Sequence, residues 1–184
     1  RVAAGNGGEN LSLATRTVEA SPTKAFFVRM LTRDIELADA ILDLLDNCVD
    51  GVLRQLARSG GPRGAEPYRG YRVEIKATPD FFEILDNCGG IPQELAAKYA
   101  FMLGRPDPDR DSDIETVGMY GIGMKRALFK MGRNSVVTSQ PAKGEQYRVE
   151  IPATWLDDDR SWQLEMVPGG DPLPADGTRI VVTG

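Results

Sequence analysis

Three short stretches carry residues whose types and spacing suit chemistry. In Asp43-Leu44-Leu45-Asp46-Asn47-Cys48-Val49-Asp50, residues Asp43, Asn47 and Asp50 stand four and three apart, so on a helix they share one face. Carboxamide and carboxylate oxygens are hard donors suited to Mg²⁺, which completes its octahedron with water and phosphate. A carboxylate one turn before the amide can orient or deprotonate a water. A solvated acidic face is the plainer reading of the same spacing. The second stretch is Asp86-Asn87-Cys88-Gly89-Gly90-Ile91. Paired glycines permit a tight turn and the close approach of a flat ligand, and the Asp can accept a hydrogen bond from an exocyclic amine. As a turn it needs no ligand at all. The third is Gly118-Met119-Tyr120-Gly121-Ile122-Gly123-Met124-Lys125. Its glycines expose successive N–H groups, a helix N-terminus favours anions, and Lys125 can neutralise a terminal phosphate as a point charge. No Gly-Lys-Ser/Thr follows and no strand precedes, so neither the Walker A order nor a Rossmann fingerprint is present. A flexible helix start is the alternative.

These stretches need elements to hold them. From Ile35 to about Arg58, residues Ala38, Ile41, Leu42, Leu45, Val49, Val52, Leu53 and Leu56 recur at helical spacing, which predicts a long helix carrying the first stretch. A shorter helix is expected over Ser21–Leu31 with Pro22 in its first turn. Alternation at Tyr71, Val73 and Ile75, then Phe81 to Leu85, predicts two strands leading into the Asp86 turn. Helices are expected over Gln93–Met102 and Met119–Met131, and strands over Asn134–Ser139, Gln146–Ile151, Trp162–Val167 and Thr178–Thr183. Helices early and strands late favour an α+β fold: a two-layer sandwich, its sheet mixed but mainly antiparallel, with helices on one face. Residues 1–20 read as a flexible arm, and 21–184 as one domain with a mobile, acidic, proline-containing loop at about 103–117.

Composition narrows the function classes. The 184 residues suffice for one domain with a sizeable core. A net charge of −5 argues against a nucleic-acid grip, which demands clustered cations. No apolar run is long enough to span a bilayer, and no signal-peptide pattern opens the chain. Two cysteines, Cys48 and Cys88, and no histidine cannot make a zinc site. They are expected as free thiols in a reducing cytoplasm. Without histidine, chemistry falls to carboxylates, metal and backbone.

The order of the three stretches resembles the GHKL superfamily, which includes gyrase B subunits, ninety-kilodalton heat-shock chaperones, histidine kinases, MutL and MORC proteins. The string Tyr120 to Lys125 is most similar to MORC-like and related prokaryotic ATP-binding proteins. The resemblance covers about Pro22 to Gly184 and implies the Bergerat ATP-binding fold. Asp43-x-x-x-Asn47 resembles the family's N-box, which makes Asp43 the catalytic carboxylate and Asn47 the Mg²⁺ ligand, with Asp50 beside the nucleotide. Asp86 to Gly90 resembles the box whose Asp reads the adenine amino group, followed by Ile91. Gly118, Gly121, Ile122, Gly123, Met124 and Lys125 are similar to the phosphate box, and the acidic loop before them to the lid. Gly177-Thr178 resembles the Gly-Thr element, whose Thr assists the adenine-reading Asp. Two departures stand out. Asp43 replaces the usual Glu, one methylene shorter, and Cys88 replaces the first glycine of the second box. The cofactors implied are ATP and Mg²⁺. The function implied is ATP binding and slow hydrolysis coupled to lid closure and homodimerisation, driving a C-terminal transducer or effector domain not in this chain. The alternatives are a non-catalytic nucleotide-gated switch and, disfavoured by the absence of histidine, a histidine kinase catalytic domain.

Overall fold

The computed structural model describes residues 18, 20–61, 64–103 and 122–184. The expected arm, apart from residues 18 and 20, and the expected lid, apart from Leu103, therefore lie outside the described residues, as do Gly118 and Gly121.

Helix α1 is Lys24–Thr32. It starts where the Thr23 hydroxyl accepts the Phe26 N–H at 3.2 Å, a side-chain N-cap, so Pro22 stands ahead of the cap and not within the first turn. Helix α2, Leu37–Arg58, is the long helix that the periodicity predicts. Its buried stripe is Ala40, Leu44, Cys48, Gly51 and Val52, whereas Leu42 and Val49 are exposed. The helix is rotated so that part of its polar side faces inward. Strands β1 (Val73–Thr78) and β2 (Phe81–Asp86) form a hairpin turned at Pro79-Asp80. The helix expected over Gln93–Met102 is a single α-turn, α3 (Gln93–Leu95), which widens into a π-helical stretch, Ala96–Ala100. Helix α4 is Gly123–Met131.

Strands β3 (Asn134–Gln140), β4 (Tyr147–Ile151), β5 (Met166–Pro168) and β6 (Gly177–Thr183) complete a six-stranded sheet in the order β1-β2-β6-β3-β4-β5. Every pairing among the described residues is antiparallel, which corrects the mixed sheet expected from sequence. The strand expected over Trp162–Val167 is reduced to Met166–Pro168. A 3₁₀ turn, Ala153–Asp157, precedes it, and the Trp162 ring packs edge-on against Phe27 and Trp155 instead of joining the sheet.

Strand alternation assigns the two faces. Phe82, Ile84, Val137, Ile151, Ile180 and Val182 point into one core with Ala40, Leu44, Ala127 and Leu128 of α2 and α4. The opposite face carries a charged ladder in which Glu83 takes Lys76 at 2.9 Å and Arg179 at 2.6 Å. Both cations hold the buried Glu83 carboxyl below its usual range, the Lys76 hydrogen bond most strongly. The fold is thus α+β, two-layered, with helices on one side. Among the described residues, no helix is long and apolar enough to cross a membrane.

Candidate functional site

The inward-turned side of α2 meets the turn after β2 at Cys48 and Gly51, where the start of β6 also arrives, and meets the head of α4 at Asp43. Asp86 ends β2. Its Oδ1 accepts the Cys88 N–H at 2.7 Å and the Thr178 N–H at 3.3 Å. Its Oδ2 meets the Cys48 thiol at 3.6 Å. Burial raises the Asp86 pKa above its usual 3.8, against the opposing effect of those hydrogen bonds. Arg54, itself lowered by burial, faces both Asp50 and Asp86 as the nearby cation. Asp86 is therefore an oriented acceptor with one oxygen tied to backbone and the other turned to a soft, weak donor.

The turn after Asp86 is built for close approach. Gly90 has φ +64°, and a Cβ there would lie 2.3 Å from the Gln140 carbonyl oxygen. Ile91 is fixed on both sides, its N–H donating to Ser139 Oγ at 2.7 Å and its carbonyl accepting the Tyr147 hydroxyl at 2.8 Å. Burial of that phenol pushes its pKa up to about 12, which keeps it a donor. On α2, Gly51 lets the helix touch the same turn, since a Cβ there would fall 2.5 Å from the Cys88 carbonyl oxygen. Thr178 is buried at the start of β6. Cys48 and Cys88 are both free thiols. The hydrogen bond between them, burial and the Asp86 charge, in that order, raise the Cys48 pKa, so Cys48 acts here as a thiol donor and not as a thiolate.

One turn before Gly51, Asn47 donates its amide N–H to the Asp43 carbonyl at 2.8 Å. That bond fixes which end of the carboxamide is nitrogen and leaves Oδ1 as a free-standing hard acceptor. Asp43, Asn47 and Asp50 share the face that the spacing predicts, and it is not a solvated one: Asp50 is 4% exposed. Among the described residues, no group of three or more His, Cys, Asp or Glu is arranged to hold a metal ion. A divalent cation at Asn47 must then take most of its ligands from elsewhere.

At the head of α4 the cations differ from expectation. Lys125, expected to face phosphate, is buried, and its Nζ donates to the Ala100 carbonyl at 3.0 Å. Met124 is in the core, so only its backbone belongs to the helix head. Ile122 is the N-cap, and its carbonyl accepts the Arg126 N–H at 2.8 Å. Gly123 lies directly against Asp43, whose Cγ would be 3.4 Å from a Cβ there. The side chain that meets Asp43 is Arg126. Its Nε and Nη2 each bind one carboxylate oxygen, both at 2.7 Å, and this pairing raises the Arg126 pKa. Gly51 and Arg126 are contacts of this region that motif reading passes over. Only Arg126 had a visible cue, a second cation directly after Lys125.

The chain matches the protein family described as histidine kinase-, DNA gyrase B-, and HSP90-like ATPase over residues 35–169. No curated protein matches it.

Proposed function

Because the chain belongs to the family of histidine kinase-, DNA gyrase B- and HSP90-like ATPases, we propose that it binds ATP with Mg²⁺ and hydrolyses it slowly. The observation that carries this reading is Asp86, whose Oδ1 is held by two backbone N–H groups while Oδ2 is left to accept the adenine amine. Thr178 stands beside it, and Gly90 and Ile91 wall the base. Asn47 offers its Oδ1 to a cation that is otherwise held by phosphates and water, the usual habit of Mg²⁺. Bound there, Mg²⁺ would neutralise phosphate charge. The head of α4, from Ile122 to Lys125, supplies N–H groups to the phosphates; the sequence resemblance adds Gly118 and Gly121 to the same box, outside the described residues. Asp50 sits behind Asn47 and sets the charge around it. Asp43, one turn before Asn47, accepts a proton from the attacking water. Phosphoryl transfer asks for positioning and charge neutralisation more than for covalent chemistry, which suits a site without histidine.

Closure of residues 103–117 over the phosphates, dimerisation and coupling to a C-terminal effector domain in the cytoplasm belong to the same reading. The apolar side chains of Leu42 and Val49, which α2 leaves exposed, support a partner surface. A second reading, a nucleotide-gated switch without turnover, is favoured by the Arg126 clamp on Asp43.

Calorimetry with Mg·ATP and a phosphate-release assay on the same samples test both readings. Asp86→Asn is expected to weaken ATP binding by at least about a hundredfold, the scale of a buried acceptor replaced by a mismatched donor. Asp43→Ala is expected to bind ATP yet release no phosphate. Normal ATP affinity in Asp86→Asn would sink the site, and a wild-type protein that binds tightly without turnover would leave the switch.

A further inference from the structure

Arg126 stands in the first turn of α4, and its fork closes on both oxygens of Asp43. The pair is shielded, with 16% of the Asp43 side chain and 29% of the Arg126 side chain exposed. Bidentate guanidinium–carboxylate pairs are strong and directional, and Arg keeps its charge at every ordinary pH. A competing anion can take the guanidinium from this clamp. The clamp sits where α4 presents its N-terminal turn, and Gly123 brings that turn against Asp43 itself. Lys125, the neighbouring cation, is turned to the Ala100 carbonyl, so Arg126 is the side chain of this turn aligned with the carboxylate. A terminal phosphate carries more charge than a carboxylate and offers three acceptor oxygens, and α4 adds its own dipole in favour of the phosphate.

We propose that Arg126 is a positioning residue that exchanges partners: it holds Asp43 while no nucleotide is bound and passes to the terminal phosphate when ATP enters, leaving the Asp43 carboxylate to water. This rests on the reading of Asp43 as the carboxylate that acts on water. The exchange makes turnover conditional on a terminal phosphate, because ADP and AMP lack the group that draws Arg126 away.

The test is the Nε–H resonance of Arg126 in protein labelled with ¹⁵N-arginine, assigned by its loss in Arg126→Lys. Asp43→Asn is expected to shift this resonance in the free protein. Mg²⁺ with a non-hydrolysable ATP analogue is expected to shift it in the wild type, and AMP to leave it in place. Calorimetry on the same samples reports binding independently. An unmoved resonance in Asp43→Asn, an unmoved resonance with the ATP analogue bound, or an equal shift with AMP each overturns the exchange while leaving the ATP reading intact. Failure of both nucleotides to bind removes the ATP reading and this inference with it.

Discussion

On the proposed reading Asp86 accepts the adenine amine as a carboxylate, so its titration would govern the adenine end. Burial raises its pKa above 3.8, and the acceptor is therefore lost on acidification at a higher pH than for a solvated Asp. A raised folded-state pKa favours the fold below the unfolded value, and that advantage disappears as pH rises through the folded value. Acid thus weakens nucleotide binding at this residue while relieving the cost of its burial. Calorimetry across the range above pH 3.8 is expected to show ATP affinity falling as pH falls. Inosine triphosphate, which has no amino group, is expected to bind more weakly at neutral pH and to lack that fall. Parallel curves for the two nucleotides would show that Asp86 does not read the amine. The residue itself was legible in the sequence, as an Asp before paired glycines. Thr178, 92 residues away, was reached only through the resemblance to the Gly-Thr element, and no local spacing announces the hydrogen bond from Cys48, 38 residues away. Arg126 and Asp43, 83 residues apart, form a pair that no local spacing can announce.

At the scale of the element, α2 does most of the positioning. Its existence and length followed from periodicity, but its orientation did not. A run of apolar residues is ordinarily read as the buried side, yet here Leu42 and Val49 are 56% and 40% exposed, because the helix presents Asp43, Asn47 and Asp50 to α4 and the Asp86 turn. A site made of polar groups on an amphipathic helix inverts the usual inference. Gly51 marks the contact. In an open helix interior, Gly→Ala gains about 1 kcal/mol. At Gly51 the new methyl would meet the Cys88 carbonyl oxygen at 2.5 Å, and both partners are backbone-anchored. Gly51→Ala is therefore expected to lose about 1–3 kcal/mol in urea unfolding, the cost of overpacking, and to weaken ATP binding by displacing the turn. A stabilised variant would mean that the helix and the turn stand farther apart. The π-helical stretch at Ala96–Ala100 and the shortness of β5 were not legible because both depend on packing: Ala96 is buried beside Tyr147 and Val149, and among the described residues β5 pairs with β4 alone.

The whole molecule is tied across its length by a buried cation. Lys24, 1% exposed, donates its ammonium to the carbonyls of Trp155 and Asp158 and lies 4.0 Å from the Trp155 ring centre. Its backbone N–H meets Asp159 at 2.6 Å. These contacts fasten α1 to a segment more than 130 residues onward. Lys24→Met keeps the stem and removes the charge, and is expected to cost about 2–3 kcal/mol through the lost cation–π contact and the unpaired carbonyls. Urea unfolding followed by tryptophan fluorescence measures it, and a loss below about 0.5 kcal/mol would show that the aromatic group holds α1 without the ammonium. The sheet carries a different long-range consequence. Strand β6 lies between β2 and β3, pairing Phe81 with Thr183 on one side and Asn134 with Thr183 on the other. Before β6 emerges during synthesis, the β1–β2 hairpin and the β3–β4–β5 meander are separate pieces, each with an unpaired edge. Such non-local pairing is slow and leaves edges open to wrong partners. The seven residues that close both edges at once also bring Thr178 to Asp86, so the nascent chain gains its sheet and the second backbone donor to Asp86 in the same step.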